Sequence, residues 1–411
     1  MTARPTVRLP DSSEWSFEAI ERYDEAIGEV ARRYGLDVYP HLVEIISAEQ
    51  MMDAYASSGM PVYYHHWSFG KHFLATESRY RRGQMGLAYE IVINSNPCIA
   101  YLMEENTLPM QALVIAHAAY GHNSFFKGNH LFRQFTDADH ILEDLKTLKT
   151  RIEECEERYG VAEVEKLIDA CHALKSHGVD RRPKPPRRSA EEMRQRQEAA
   201  DEFKQRNLDP LLDNVIYPPR APESGLSDSF NGVSDSLDEE NLLLYIAENA
   251  PHLAGWQRDI IARISHVEQY FYPQKQTQLM NEGWATFWHH TIMNDLYHEV
   301  GLIDEGMWME FTHSHTGVIA QPNFDSPYFS GNYNPYALGF AMYTDLKRIC
   351  QNPTDEDREY FPDIAGNPDW VSVVKDAMEN YKDESFVQQF LSPKVMKDFR
   401  MFVIKDDDRE D

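Results

Sequence analysis

The stretch Ala116-His-Ala-Ala-Tyr-Gly-His-Asn123 decides how the chain is read. It continues the apolar run Met110-Gln-Ala-Leu-Val-Ile-Ala-His117, which Leu108-Pro109 introduces, and a proline suits a first helical turn. The segment is therefore a buried helix that carries two imidazoles. Burying imidazole is unfavourable unless it is bonded, so His117 and His122 ask for partners. Glu282 is equally uncomfortable alone, set among Met, Trp and Phe in Met280-Asn-Glu-Gly-Trp-Ala-Thr-Phe-Trp288. His289 lies two helical turns further on and shares its face. One metal ion would satisfy these groups together. Two imidazoles from one helix and a carboxylate from a second give three metal ligands, His117, His122 and Glu282, and leave a position open. That is the layout of a catalytic zinc site, where the ion lowers the pKa of bound water and polarises a carbonyl.

Two features depart from the HExxH pattern. Histidines four apart stand roughly 40° from one another around an ideal helix, whereas His117 and His122, five apart, stand roughly 140° apart. Both reach one ion only through a one-residue bulge, or if the helix ends near Gly121. The glutamate that serves as general base in that motif is Ala118 here. Glu104 and Glu105, in Tyr101-Leu-Met-Glu-Glu-Asn106, are the nearest upstream acids and are expected to act as base. His289, or His313 or His315 of the His313-Ser-His315 segment, is expected to stabilise the oxyanion.

Outward from this centre the chain reads as mostly helical. Phe17, Ile20, Tyr23, Ile27, Val30 and Tyr34 trace a first amphipathic helix that Gly35 stops. Val62–Phe69 and Tyr89–Asn94 are short β-branched or aromatic runs and read as strands, with a helical reading returning from Cys98. Two apolar stripes, Leu142 to Tyr159 and Val164 to Leu174, predict paired helices. Pro273 is expected to break a helix beginning at Trp256, and Thr312 to Pro335 to be irregular. The fold class expected is mainly α with a small β region, an α+β chain whose zincin-like helix pair follows an edge strand. An N-terminal half, 1–178, carries the histidine pair, a basic and proline-rich connection covers 179–235, and a helical half, 236–405, carries Glu282 and packs on the first.

Forty Lys and Arg against 67 Asp and Glu give a net charge of −27, which disfavours nucleic acid and anionic membrane surfaces as partners. No apolar stretch is long enough to span a bilayer, and the amino terminus lacks a secretory core, so a cytoplasmic location is expected. Four scattered cysteines without a CxxC pair argue against a thiolate metal site and against a disulfide scaffold. Phosphate-loop, dinucleotide and serine-hydrolase signatures are missing.

Several strings resemble the stage V sporulation protein R (SpoVR) family: Tyr89-Glu-Ile-Val-Ile-Asn-Ser-Asn-Pro97, Ala116 to Lys127, Arg133-Gln-Phe-Thr-Asp-Ala-Asp139, Met280 to His289, His313-Ser-His-Thr316 and Asn334-Pro-Tyr-Ala-Leu-Gly-Phe-Ala341. The resemblance implies a cytoplasmic protein linked to spore cortex formation, or to stationary-phase and envelope physiology. Members of that family usually continue past the equivalent of Asp411 with another small domain, so the resemblance also implies a shortened chain. More loosely, the helix pair resembles zincin peptidases, in which a strand precedes the metal helix and a later helix supplies a glutamate.

The leading expectation is a Zn2+-dependent hydrolase of amide or peptide bonds acting on a peptide or peptidoglycan-like substrate. Two alternatives stand beside it. One is a non-catalytic regulator or scaffold that recruits a protein partner and holds these groups as a structural metal site or a buried polar network. The other is a two-metal oxidase-like site built from Glu104, Glu105, His117, His122, Glu282 and His289, although no Glu-x-x-His repeat supports it.

Overall fold

The computed structural model describes residues 14–57, 59–82, 90–182, 241–322 and 333–401. They form a mainly helical α+β structure with one small sheet. Helix α1 (Phe17–Arg33) starts where the Ser16 side chain accepts from the Ala19 N–H, and it buries Ile20, Tyr23, Ile27 and Val30 as the spacing predicts. After it come β1 (His41–Ile46), α2 (Ala48–Ala56), α3 (Trp67–Arg81), β2 (Glu90–Ile93) and β3 (Cys98–Met103). The central strand is β3, parallel to β1 and antiparallel to β2, which leaves β2 at an edge.

Two expectations around the sheet are corrected. Cys98–Met103 is a strand, not a helix. A central strand covered on both faces is apolar throughout, and such a run lacks the alternation that separates strand from helix. Val62–Phe69 is not a strand: α3 starts at Trp67, with the His66 ring accepting from the Ser68 N–H as its N-cap. Tyr63, Tyr64 and Phe69 stack on one another at 4.5–5.7 Å instead of packing across a ladder.

Helix α4 (Leu108–Ile115) is buried along its whole length and runs without a break into a π-helical turn, Ala116–His122, and then α5 (Asn123–Gly128). Next are α6 (His130–Phe135), α7 (Ile141–Tyr159), α8 (Val161–Leu174), α9 (Leu242–Asn249) and α10 (Gly255–Gln276). Pro273 lies inside α10, and the chain breaks at Thr277, whose hydroxyl donates to the Pro273 carbonyl. Helices α11 (Gln278–Asp295), α12 (Glu305–Val318) and α13 (Pro335–Gln351) follow, then the short α14 (Asp355–Tyr360), α15 (Trp370–Asn380), α16 (Asp383–Phe390) and α17 (Pro393–Asp398). Thr312 to Thr316, expected to be irregular, lies within α12. The connection expected over 179–235 lies outside the described residues from 183 onward.

The chain divides into two compact units, one of residues 1–165 with 270–411, the other of residues 166–269. In the smaller, Asn241 donates to the Ser265 hydroxyl, which donates to the Gly178 carbonyl. The larger unit contains the main hydrophobic core and every site residue described below. Its axis is α11, buried on nearly all sides with Trp284 and Trp288 fully enclosed. Glycines let its neighbours approach closely. A Cβ on Gly121 would lie 2.7 Å from Ala285 Cα, and one on Gly283 would lie 2.5 Å from Gly339 Cα.

A charged cluster fastens α13 to α14. Arg348 pairs with Asp345 and Asp357, each at 2.6 Å, both carboxylates being nearly buried. Ser392 donates to Asp345 as well. Arg348 holds the Asp357 carboxyl well below the usual carboxylate range. Arg348→Ala strands two buried anions and is expected to cost about 3 kcal/mol in urea unfolding at pH 7. Because the folded Asp357 is the more acidic state, its stabilisation is present above the unfolded pKa of about 3.9 and is lost as pH falls below it. The cost of the substitution therefore shrinks in acid, and an equal cost at pH 7 and pH 3 would refute this account.

Candidate metal centre

The π turn resolves the spacing of the two histidines. In such a turn the backbone bonds run from i to i+5, so residues five apart stack as residues four apart do in an α-helix. The Asn123 N–H bonds back to the Ala118 carbonyl, five residues away. The His117 and His122 rings accordingly lie 4.6 Å apart at 90° to one another, both buried. The one-residue bulge expected from the spacing is the form the chain takes.

Opposite them stands α11, brought close by the contact of Gly121 with Ala285. Glu282 places Oε2 at 3.5 Å from His122 Nε2 and 3.7 Å from His117 Nε2. On the sheet side, Glu90 opens the edge strand β2 and sets Oε1 at 3.2 Å from His117 Nε2. Glu90, His117 and His122 offer three ligand atoms within 4.8 Å of one another, a group that could hold a metal ion. The Oε2 atom of Glu282 is buried and has no hydrogen-bond partner, although the carboxylate does accept from the Tyr336 hydroxyl of α13. A buried anionic oxygen facing two imidazole nitrogens fits a cation placed among them.

Further groups hold these side chains. His122 Nδ1 meets Asn281 Oδ1 at 2.9 Å, and Asn281 sits one residue before Glu282. His117 Nδ1 meets His289 Nδ1 at 2.9 Å, and His289 Nε2 meets His315 Nδ1 at 2.8 Å. Burial pushes the His117 ring down to about 4 and His315 down to about 3, so both rest as neutral imidazoles. Burial, and then the charge of Glu282, raises Glu90 well above the ordinary carboxyl value. Burial works in the same direction on Glu282, but the facing His122 and His117 outweigh it and bring that carboxyl down. Two neighbouring carboxyls pushed in opposite directions is a pattern familiar from acid–base sites.

The sequence-expected residues therefore separate into groups. The structure brings His117, His122 and Glu282 together, with His289 and His315 behind them. Glu104 and Glu105, expected as base, are exposed in the turn after β3; among the described residues the carboxylates within 4 Å of His117 or His122 are Glu90 and Glu282. His313 is exposed on α12, whereas His315 on the same helix is buried. Both ring nitrogens of His289 are taken up by other imidazoles, so it stands behind His117 instead of facing an oxyanion. Glu90 escaped notice because it looks like the polar start of an edge strand. A signal was available in the approach of that strand to the histidine helix, a topology the sequence suggests only through the zincin-like order of segments.

A family model described as SpoVR like protein matches residues 14–411. The chain belongs to the SpoVR family. It is also 56% identical over 406 residues to the uncharacterized protein YcgB of Escherichia coli K12, a match covering 99% of this chain and 78% of that one. No solved structure matches it. The SpoVR description names no reaction, so what the site does is argued from its own geometry. Among the described residues no helix is long and apolar enough to cross a membrane.

Proposed function

We propose that this SpoVR protein is a metal-dependent, zincin-like hydrolase of amide bonds, cytoplasmic, acting on a peptide or peptidoglycan-like fragment. One observation carries the reading: two imidazoles and two carboxylates from three distant segments converge, and the buried Oε2 of Glu282 lacks a hydrogen-bond donor. His117, His122 and Glu282 hold the ion, with Zn2+ the first choice for two nitrogens and one oxygen. Glu90 takes the place of the general base that Ala118 cannot supply. It would receive a proton from the attacking water and return it to the leaving amine, and the chemistry a bound ion would supply is polarisation of the scissile carbonyl. Of the two carboxylates, Glu282 suits the ligand role because one oxygen faces both imidazoles, whereas the Glu90 contact is to His117.

Elemental analysis of the purified protein is expected to find about one divalent ion per chain. Glu90→Gln should keep that ion and lose hydrolysis of short peptides and stem-peptide amides by at least about 100-fold. Loss of the ion in Glu90→Gln together with its retention in Glu282→Gln would overturn the assignment of roles. A chain without any bound ion would sink the reading.

A further inference from the structure

Three buried imidazoles form a line leading away from the candidate centre. His117 on the π turn touches His289 on α11, and His289 touches His315 on α12, each contact nitrogen to nitrogen at 2.9 and 2.8 Å. A contact of two ring nitrogens at this distance holds one proton between them, so one ring donates and the other accepts. His289 exposes none of its surface, and both its nitrogens meet other imidazoles. A charged ring there would be costly, which leaves a single proton on His289.

The tautomers then follow one from another. Nε2 of His117 faces Glu90 and Glu282, and an ion bound there requires that nitrogen bare. The proton of His117 must then sit on Nδ1. The Ala285 carbonyl, which accepts from this ring, can be answered in that state only from Nδ1. His289 Nδ1 must accept, so its proton sits on Nε2 and is donated to His315 Nδ1. The third proton-bearing nitrogen of the line is thereby His315 Nε2.

We propose that His289 and His315 are positioning residues that fix His117 as the Nδ1–H tautomer, in one directed chain from His117 through His289 to His315. This inference rests on the metal-centre reading and deepens it. A metal-bound histidine usually donates its other N–H to a carbonyl or carboxylate; here an imidazole, itself held by a second imidazole, shares that part with the Ala285 carbonyl. The arrangement uses a neutral acceptor, so it orients His117 without adding negative charge beside a site that already contains two carboxylates.

The test uses the full chain labelled with 15N-histidine and titrated with Zn2+. In the loaded protein, two-bond 1H–15N correlation spectra are expected to show a proton on Nδ1 of His117 and on Nε2 of both His289 and His315. Isothermal titration of variants supplies the second arm. His289→Leu removes the imidazole acceptor and is expected to weaken Zn2+ binding by roughly 10- to 100-fold. His289→Asn keeps an amide oxygen at the place of Nδ1 and is expected to recover most of that loss, a rescue that a purely packing role would not give. If wild type takes up no Zn2+, the metal-centre reading and this inference fall together. If wild type binds Zn2+ but His289 carries its proton on Nδ1, or if His289→Leu binds as wild type does, or if Leu and Asn lose equally, only this inference falls.

Discussion

Gly283→Ala is expected to destabilise the larger unit by about 3 kcal/mol, at the upper end of what a single added methyl costs in a packed interior. The new Cβ would sit 2.5 Å from both Cα and the carbonyl carbon of Gly339, with its carbonyl oxygen at 3.0 Å. These are backbone atoms of a facing helix, so no side chain can rotate away to make room. The reciprocal change, Gly339→Ala, would press on the Leu279 carbonyl and on Gly283 Cα, the latter at 2.7 Å. Urea denaturation checks both. Gly255→Ala is the control, since nothing lies within 4 Å of a Cβ built there. If Gly283→Ala matched that control, the crossing of α11 and α13 would not be as close as described. The consequence reaches the site, because Glu282 precedes Gly283 and Tyr336 sits on α13; spreading the two helices would part the carboxylate from the hydroxyl that bonds it.

His122→Ala and Glu282→Gln are each expected to abolish stoichiometric ion binding, with losses beyond the roughly 100-fold that removal of an outer partner brings. The reason is ligand count. With three protein groups around an ion, removing one leaves two, too few to compete with water for a divalent cation. Glu282→Gln is the cleaner change, since the amide keeps the shape and can still accept from Tyr336 while its charge is gone. Ion content after dialysis measures the result, and a thermal melt of the same sample separates loss of the ion from loss of the fold. Retention of a full equivalent in both variants would mean that the ion, if bound, lies elsewhere.

Much of the centre was legible in the sequence as misplaced polarity. His117, His122 and Glu282 each stand out because an apolar neighbourhood penalises them singly, and a shared partner is the simplest remedy. The five-residue spacing left two ways out, a one-residue bulge or a helix ending near Gly121, and the π turn is the first of them. What was hidden depends on contacts between distant segments. Glu90 looks ordinary at the start of a short strand, and only the closeness of β2 to the π turn makes it a neighbour of His117. His315 belongs to a helix without a clear apolar stripe, and its link to His289 joins different helices. The sheet was partly legible for a related reason: β2 shows β-branched residues, whereas β3, covered on both faces, has no polar side to reveal its period.

The extra residue in the turn at Ala116–His122 reaches beyond geometry. Excising one alanine from this loop of backbone would restore an ordinary helix with its histidines four apart and leave the residues downstream near the faces they now occupy, because the wide turn already absorbs the extra residue. Phe125 and Phe126, packed inside, would keep their places. The insertion is therefore confined to one turn, and the packing after it is kept. A search pattern demanding three intervening residues would pass over this chain, even though its two rings come to face a common point.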